Sequence, residues 1–387
     1  MLDLHDLEIG APGPFLPPYE NVVKNAKTID SLGYDSMAFP DHFAGFIPES
    51  IWTTDITPLS FIQQSPHTYY EFASIMAACA TATERVKLVS AVTDPIRRHP
   101  VLLAQTFLTL DHISNGRAIL GIGAGEIENI EPYGLDYSNQ AGKLREALEI
   151  IRLIWTTHEP FSYEGRYWKL KDAVMSLRPV VPDRPPPVWV AAHGPRMLEI
   201  AAEFGDGWIP TLLQPKDYGQ RLRQINKQRE KLGKTGPFTT ALWNWCILDD
   251  DPEACHQLKQ NPVAKAFALL YPSTEWKRLG YDHPFGESFY SLRDYVPMRY
   301  DRETTLKAIE QVPTEVLDEF YMSGDSETII KLLEEYTREG LQHIILWNVT
   351  GMFDLGRVRS SYKVLKEVLA YVKGLSLIHI SEPTRPY

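Results

Sequence analysis

Short apolar runs bounded by turn residues alternate along the chain with stretches whose apolar residues recur at helical spacing. Glu8-Ile9-Gly10-Ala11 predicts a first strand, and Val22, Val23, Ala26 and Ile29 form a helical stripe that stops near Gly33. A second strand, Tyr34 to Pro40, leads into Asp41-His42. The connection from Phe43 to Tyr69 has few charges and carries Ile47, Ile51, Trp52, Ile56, Leu59, Phe61 and Ile62; a loop that long and apolar predicts a lid or binding loop. The rhythm resumes with a helix over 71–82, a third strand over 86–92, a helix near 101–110 and a fourth strand over 118–122. A helix with Leu144, Leu148, Ile151 and Leu153 follows, then a proline-rich connector over 179–187 and a fifth strand over 188–192. Gly194-Pro195 opens a helix ending at Gly205, Trp208-Ile209 is a sixth strand, a basic helix covers 218–232, and Thr239 to Leu248 is a seventh strand. Residues 249–312 break the alternation as an insertion. A helix around 328–336, an eighth strand over 343–347 and a helix ending near Val372 complete the series.

Eight strands alternating with helices predict an α/β fold, a (β/α)8 TIM barrel of roughly 250 core residues plus insertions. A doubly wound parallel sheet is the alternative. The barrel is preferred because the candidate polar residues fall at strand C-terminal ends, where barrel active sites lie. The expected organisation is one domain over residues 1–373 with insertions near 43–69 and 249–312. Residues 374–387 read as a non-native tail, since Leu375 to Arg385 looks like the in-frame translation of a sequencing adapter; a frayed natural terminus is the plainer reading.

Composition removes several function classes. A hydrophobic fraction of 44% with 23% charged residues is that of a soluble globular protein, and a formal charge of −11 argues against nucleic acid or an anionic membrane surface as the main partner. Cys79, Cys246 and Cys255 have no metal-ligand or C-x-x-C spacing, and no stretch resembles a signal peptide or a spanning helix. The expectation is a cytoplasmic protein with no bound metal and with buried, reduced cysteines.

The chemistry is expected where the strands end. The fourth strand runs into Gly121, Gly123 and Gly125 and then Glu126, so it delivers a carboxylate to an opening beside a backbone that a flat ligand can approach. G-x-G-x-x-G fails in both registers, at Glu126 counted from Gly121 and at Glu128 counted from Gly123, which disfavours a Rossmann site. The plainer reading is a bulged strand whose glutamate caps the next helix. Asp41-His42 offers a proton-transferring imidazole and a carboxylate able to take a ligand N–H, or simply a capped turn. Ser90-Ala91-Val92-Thr93-Asp94-Pro95 ends the third strand without bulk and could border a planar ring, with Arg97-Arg98 just beyond. Ala192-His193-Gly194-Pro195 makes a helix N-terminus whose free N–H groups favour a phosphate, although the usual barrel phosphate site lies after later strands.

Together these segments resemble the bacterial luciferase-like superfamily, and within it the enzymes that use the deazaflavin coenzyme F420. The resemblance implies that Asp41 holds the ring, that His42 and Glu126 are catalytic, and that Glu126 gives or takes a proton beside the ring. It further implies that Ser90-Ala91 marks a non-proline cis peptide backing the deazaflavin, with Ser90, Ala91, Val92 and Gly125 bordering the ring. Ala192, His193 and Gly194 would form the phosphate turn. Asp41-His42-Phe43 is similar to the motif of deazaflavin glucose-6-phosphate dehydrogenases, but the arginine that binds their sugar phosphate aligns with Phe320, and the aromatic after their Asp-His becomes Phe46. A pocket without that cation is not expected to hold a phosphosugar. Gly116 to Gly123, Glu131-Pro132-Tyr133-Gly134, Val190 to Leu198 and His283-Pro284 are most similar to the phthiodiolone dimycocerosate ketoreductases. That implies hydride transfer between F420 and the carbonyl of a small apolar substrate, in a homodimer. The rival readings are hydride transfer to a pterin, as in methylenetetrahydromethanopterin reductases, and an FMN-dependent monooxygenase; a non-catalytic flavin-binding barrel is the reading outside enzymes.

Overall fold

In the computed structural model, which describes residues 3–375, eight parallel strands close into a barrel. They are β1 (Glu8–Pro12), β2 (Ser36–Phe39), β3 (Lys87–Ser90), β4 (Ala118–Ile122), β7 (Val188–Val190), β8 (Gly207–Trp208), β9 (Thr239–Leu248) and β11 (His343–Asn348), with β5 (Phe161–Glu164), β6 (Lys169–Ala173) and β10 (Met322–Gly324) outside the ring. Each barrel strand pairs in parallel with the next, and β11 returns to β1 with Glu8 opposite His343. The doubly wound alternative is thereby excluded.

Period-two patterning along β9 explains how one strand serves two cores. Leu242, Cys246 and Leu248 face the surrounding helices, whereas Ala241, Trp243, Trp245 and Ile247 join a second cluster with residues of both insertions. The helices begin and end on local signals. Pro100–Ser114 has proline in its first turn and stops at Asn115, in the left-handed region at φ 55°, followed by Gly116.

Several expectations need correction. β3 and β7 stop at Ser90 and Val190, two residues earlier than their apolar runs, because the chain leaves the strand as it reaches the barrel mouth. The segment over 249–312 holds helices Pro252–Lys259, Pro262–Ala268 and Arg302–Glu310, and beyond it β10, which the periodicity did not show, pairs with the last residues of β9. The β5–β6 hairpin was missed by periodicity because each strand has only a few residues, half of them exposed.

The two insertions are tied to each other. Arg302 donates to Ser50 O at 3.2 Å and to Thr53 Oγ1 at 2.9 Å, and Ser50 Oγ donates to Tyr300 O at 3.0 Å. Both follow strand C-termini, so they wall the same end of the barrel. The three cysteines are free and buried. Among the described residues no helix is long and apolar enough to cross a membrane. The adapter-like segment from residue 376 onward lies outside the described residues.

Candidate active site

Beyond β4 the chain turns sharply. Gly125 has φ +91°, a backbone conformation that favours glycine, and a Cβ there would also press on the end of the Ile130 side chain at 2.4 Å. The turn throws Glu126 into the mouth at the head of a short 3-10 turn, Ile127–Asn129. Its carboxylate makes no capping bond there. Glu126 Oε2 instead lies 3.6 Å from His42 Nε2.

Asn129 fixes that pair. Its Oδ1 accepts from the backbone N–H of Phe43 at 2.7 Å and of Ala44 at 3.0 Å, which orients the amide and aims Nδ2 at His42 Nδ1 (3.0 Å), Glu128 Oε1 (3.2 Å) and Glu126 Oε2 (3.4 Å). The ring hydrogen sits on Nε2 when Nδ1 takes Asn129's N–H, and on Nδ1 when that atom donates to Ala44 O at 3.1 Å. Tyr69 stacks on the imidazole at 5.4 Å and Phe46 meets it edge-on at 5.1 Å. Glu128 is only 1% exposed. Burial and the neighbouring Glu126 carboxylate push its carboxyl well above the usual range.

Asp41 and His42 are neighbours in sequence with different partners. Asp41 is buried and accepts from Thr93 Oγ1 at 2.7 Å and Arg98 Nη1 at 2.5 Å, with Arg97 Nη2 at 3.2 Å. Arg97 also binds Asp94. Ser90 is buried and locks β3 to β4, its Oγ donating to Gly121 O at 2.7 Å and accepting from Gly121 N at 2.9 Å. The non-proline cis peptide joins Ala91 to Val92, one bond later than the Ser90-Ala91 position expected. A Cβ on Gly123 would come within 3.0 Å of Val92 Cγ2, so this patch of floor stays thin.

At the third corner, after β7, Ala192 is buried and its carbonyl accepts from Trp208 Nε1. Gly194 is the exposed N-cap of helix Pro195–Phe204, without a side-chain cap and with nothing within 4 Å of a Cβ added to it. Arg221 Nη1 donates to His193 Nδ1 at 3.2 Å. On the other side of the ring, Nε2 lies 3.5 Å from the Thr211 backbone N–H and 3.4 Å from Thr211 Oγ1. Burial and the Arg221 charge hold the imidazole down to about 3, so it is neutral.

The whole arrangement sits in a chain whose residues 2–343 match the family model for luciferase-like monooxygenases. The chain belongs to the luciferase-like monooxygenase family. It is similar to the phthiodiolone/phenolphthiodiolone dimycocerosates ketoreductase of Mycobacterium tuberculosis, 31% identical over 86% of this chain and 88% of that one. It is similar also to the 5,10-methylenetetrahydromethanopterin reductase of Archaeoglobus fulgidus, 28% identical over 78% of this chain and 87% of that one. Among solved structures, an F420-dependent secondary alcohol dehydrogenase in complex with an F420-acetone adduct superposes with a TM-score of 0.71 at 20% identity, covering 94% of this chain and 99% of that one.

This family member continues its site in an aromatic wall. From Tyr69 the rings run to Phe15 (5.2 Å), Trp347 (6.2 Å), Trp245 (5.9 Å) and Phe320 (5.5 Å). Phe320, at the far end of that run of rings, is fully buried. Trp245 Nε1 is buried without a hydrogen-bond partner. Glu128, Asn129 and Arg221 were missed by sequence reasoning. The Glu126-x-Glu128 spacing was a readable signal, whereas nothing in the basic helix singled out Arg221.

Proposed function

We propose that this chain is a coenzyme F420-dependent oxidoreductase that transfers a hydride between C5 of the deazaflavin and the carbonyl or alcohol carbon of a small apolar substrate. The observation that carries the reading is the His42–Glu126 pair, 3.6 Å apart, set between an uncharged aromatic wall and a phosphate-ready helix end. The residues fit the coenzyme. The open N–H groups at Gly194, flanked by Arg221, suit its phosphate. Ala91, Val92 and Gly123 offer a thin floor for the ring. Asp41 Oδ1 has only a 3.4 Å contact to Arg97 and keeps acceptor capacity for a ring N–H.

Bound reduced deazaflavin supplies the hydride. The chain's part is to hold the ketone carbon near C5 and to protonate the developing alkoxide from Glu126 or His42, a contribution of roughly 10² to 10⁴-fold. The wall from Tyr69 to Phe320 carries no cation for a phosphosugar, and the likeness to a ketoreductase favours a ketone over a pterin. The same reading takes the protein as a cytoplasmic homodimer, on the family resemblance.

The test is a fluorescence titration of the purified protein with oxidised F420 and, separately, with FMN. Saturable binding of F420 alone is the expected outcome, followed by turnover of apolar ketones in preference to a methylene-pterin. Preference for FMN would move the monooxygenase reading to first place.

A further inference from the structure

Glu128 has no role in the scheme above, yet it is a buried carboxyl pressed against the group that does the chemistry. His42, Glu126 and Glu128 bring one nitrogen and two carboxylate oxygens within 4.8 Å of one another. Two carboxylates that close, one of them buried, cannot both stay ionised without a cation between them. Arg97, whose charge acts on Glu128, is already committed to Asp41 and Asp94, and His42, 3.6 Å from Glu126, is the other basic group at the cluster. The other titratable groups facing Glu128 are Tyr69, Tyr137 and Tyr295. All three are phenols held neutral, chiefly by burial. Asn129 Nδ2 is a neutral donor shared by both carboxyls, 3.4 Å from Glu126 Oε2 and 3.2 Å from Glu128 Oε1.

We propose that Glu126 and Glu128 hold a single proton between them, Glu128 as the buried store and Glu126 as the face that exchanges it with substrate. The inference rests on the hydride-transfer reading for its purpose but not for its existence. In ketone reduction the proton crosses from Glu128 to Glu126, and Glu126 gives it to the alkoxide oxygen, forming the alcohol O–H. The pair is then left without its proton, and solvent returns one through Glu126, whose side chain is 27% exposed. In alcohol oxidation the same atoms move in reverse. Glu128 is a positioning residue in this scheme, since it touches no substrate.

Two measurements test it. The first is the infrared spectrum of the coenzyme-free protein at neutral pH. The expected result is a carbonyl stretch of a protonated carboxylic acid that shifts in heavy water and is missing in Glu128→Gln. No such band, or a band that survives the substitution, overturns the proposal whatever the coenzyme proves to be, and the wild-type spectrum alone decides if the variant does not fold. The second is the pH profile of kcat for ketone reduction. Activity is lost as pH rises through the pair's upper apparent pKa. Glu128→Gln, which keeps a donor to Glu126 but cannot store a proton, is expected to move that alkaline limb down by about one pH unit or more. A lower kcat with the limb unmoved would mean Glu128 only packs. Failure of F420 to bind would sink the proposed function and leave the infrared result standing.

Discussion

The corner after β4 and the corner after β7 treat charge in opposite ways. After β4, two carboxylates converge on His42 with a single amide, Asn129, between them. After β7, an imidazole is held neutral beside a guanidinium, and the helix end it adjoins keeps its N–H groups open. The first corner is crowded with carboxylates, and on our proposal it eases that crowding by keeping a proton. The second sets a guanidinium beside open N–H groups, and on the proposed function it takes an anion. A barrel mouth can therefore hold an anionic group at one side and manage protons at the other without either neutralising the other.

The largest way to break this contrast is at Glu126. Glu126→Gln keeps shape and hydrogen bonding to Asn129 but removes the exchangeable carboxylate. Turnover is expected to fall roughly 10² to 10⁴-fold with coenzyme affinity nearly unchanged. Steady-state kinetics beside a coenzyme titration decide it; equal losses in both would make Glu126 a binding residue.

The fold was legible because a buried parallel strand is an apolar run and a covering helix is a stripe, and both survive in one sequence. β10 was not, because Met322-Ser323-Gly324 is too short to show a period and forms only against the last three residues of β9. At the site, glycines and strand ends pointed to Glu126, His42 and His193, which the structure places at the mouth. Their partners were less legible. Asp41 and His42 read as one motif, but the chain leaves the strand at Pro40, so one side chain goes to Arg97 and Arg98 and the other to Glu126. Arg221 reaches His193 from a helix 28 residues later in the chain, and contacts at that range follow from how helices pack on the barrel rather than from local pattern.

The second corner is broken at Arg221. Arg221→Met keeps the stem and removes the charge, and the loss of a charge-assisted contact is expected to weaken coenzyme binding roughly ten- to a hundredfold, with kcat at saturation little changed. Unchanged affinity would place the phosphate elsewhere.

The smallest effect sharpens the contrast through pH. His193 sits well below the ordinary imidazole value of 6.5, at about 3, so the folded protein resists a proton that the unfolded chain accepts. Its contribution to stability is complete above pH 6.5 and is lost as pH falls from there towards 3. Denaturant midpoints between pH 7 and pH 4 should therefore decline less steeply in His193→Gln than in the wild type. Arg221→Met should fall between the two, because burial is the larger cause of the shift and the guanidinium the smaller. If wild type and His193→Gln decline in parallel, the imidazole is not held neutral by its surroundings, and the corner after β7 loses the feature that sets it apart from the carboxylates after β4.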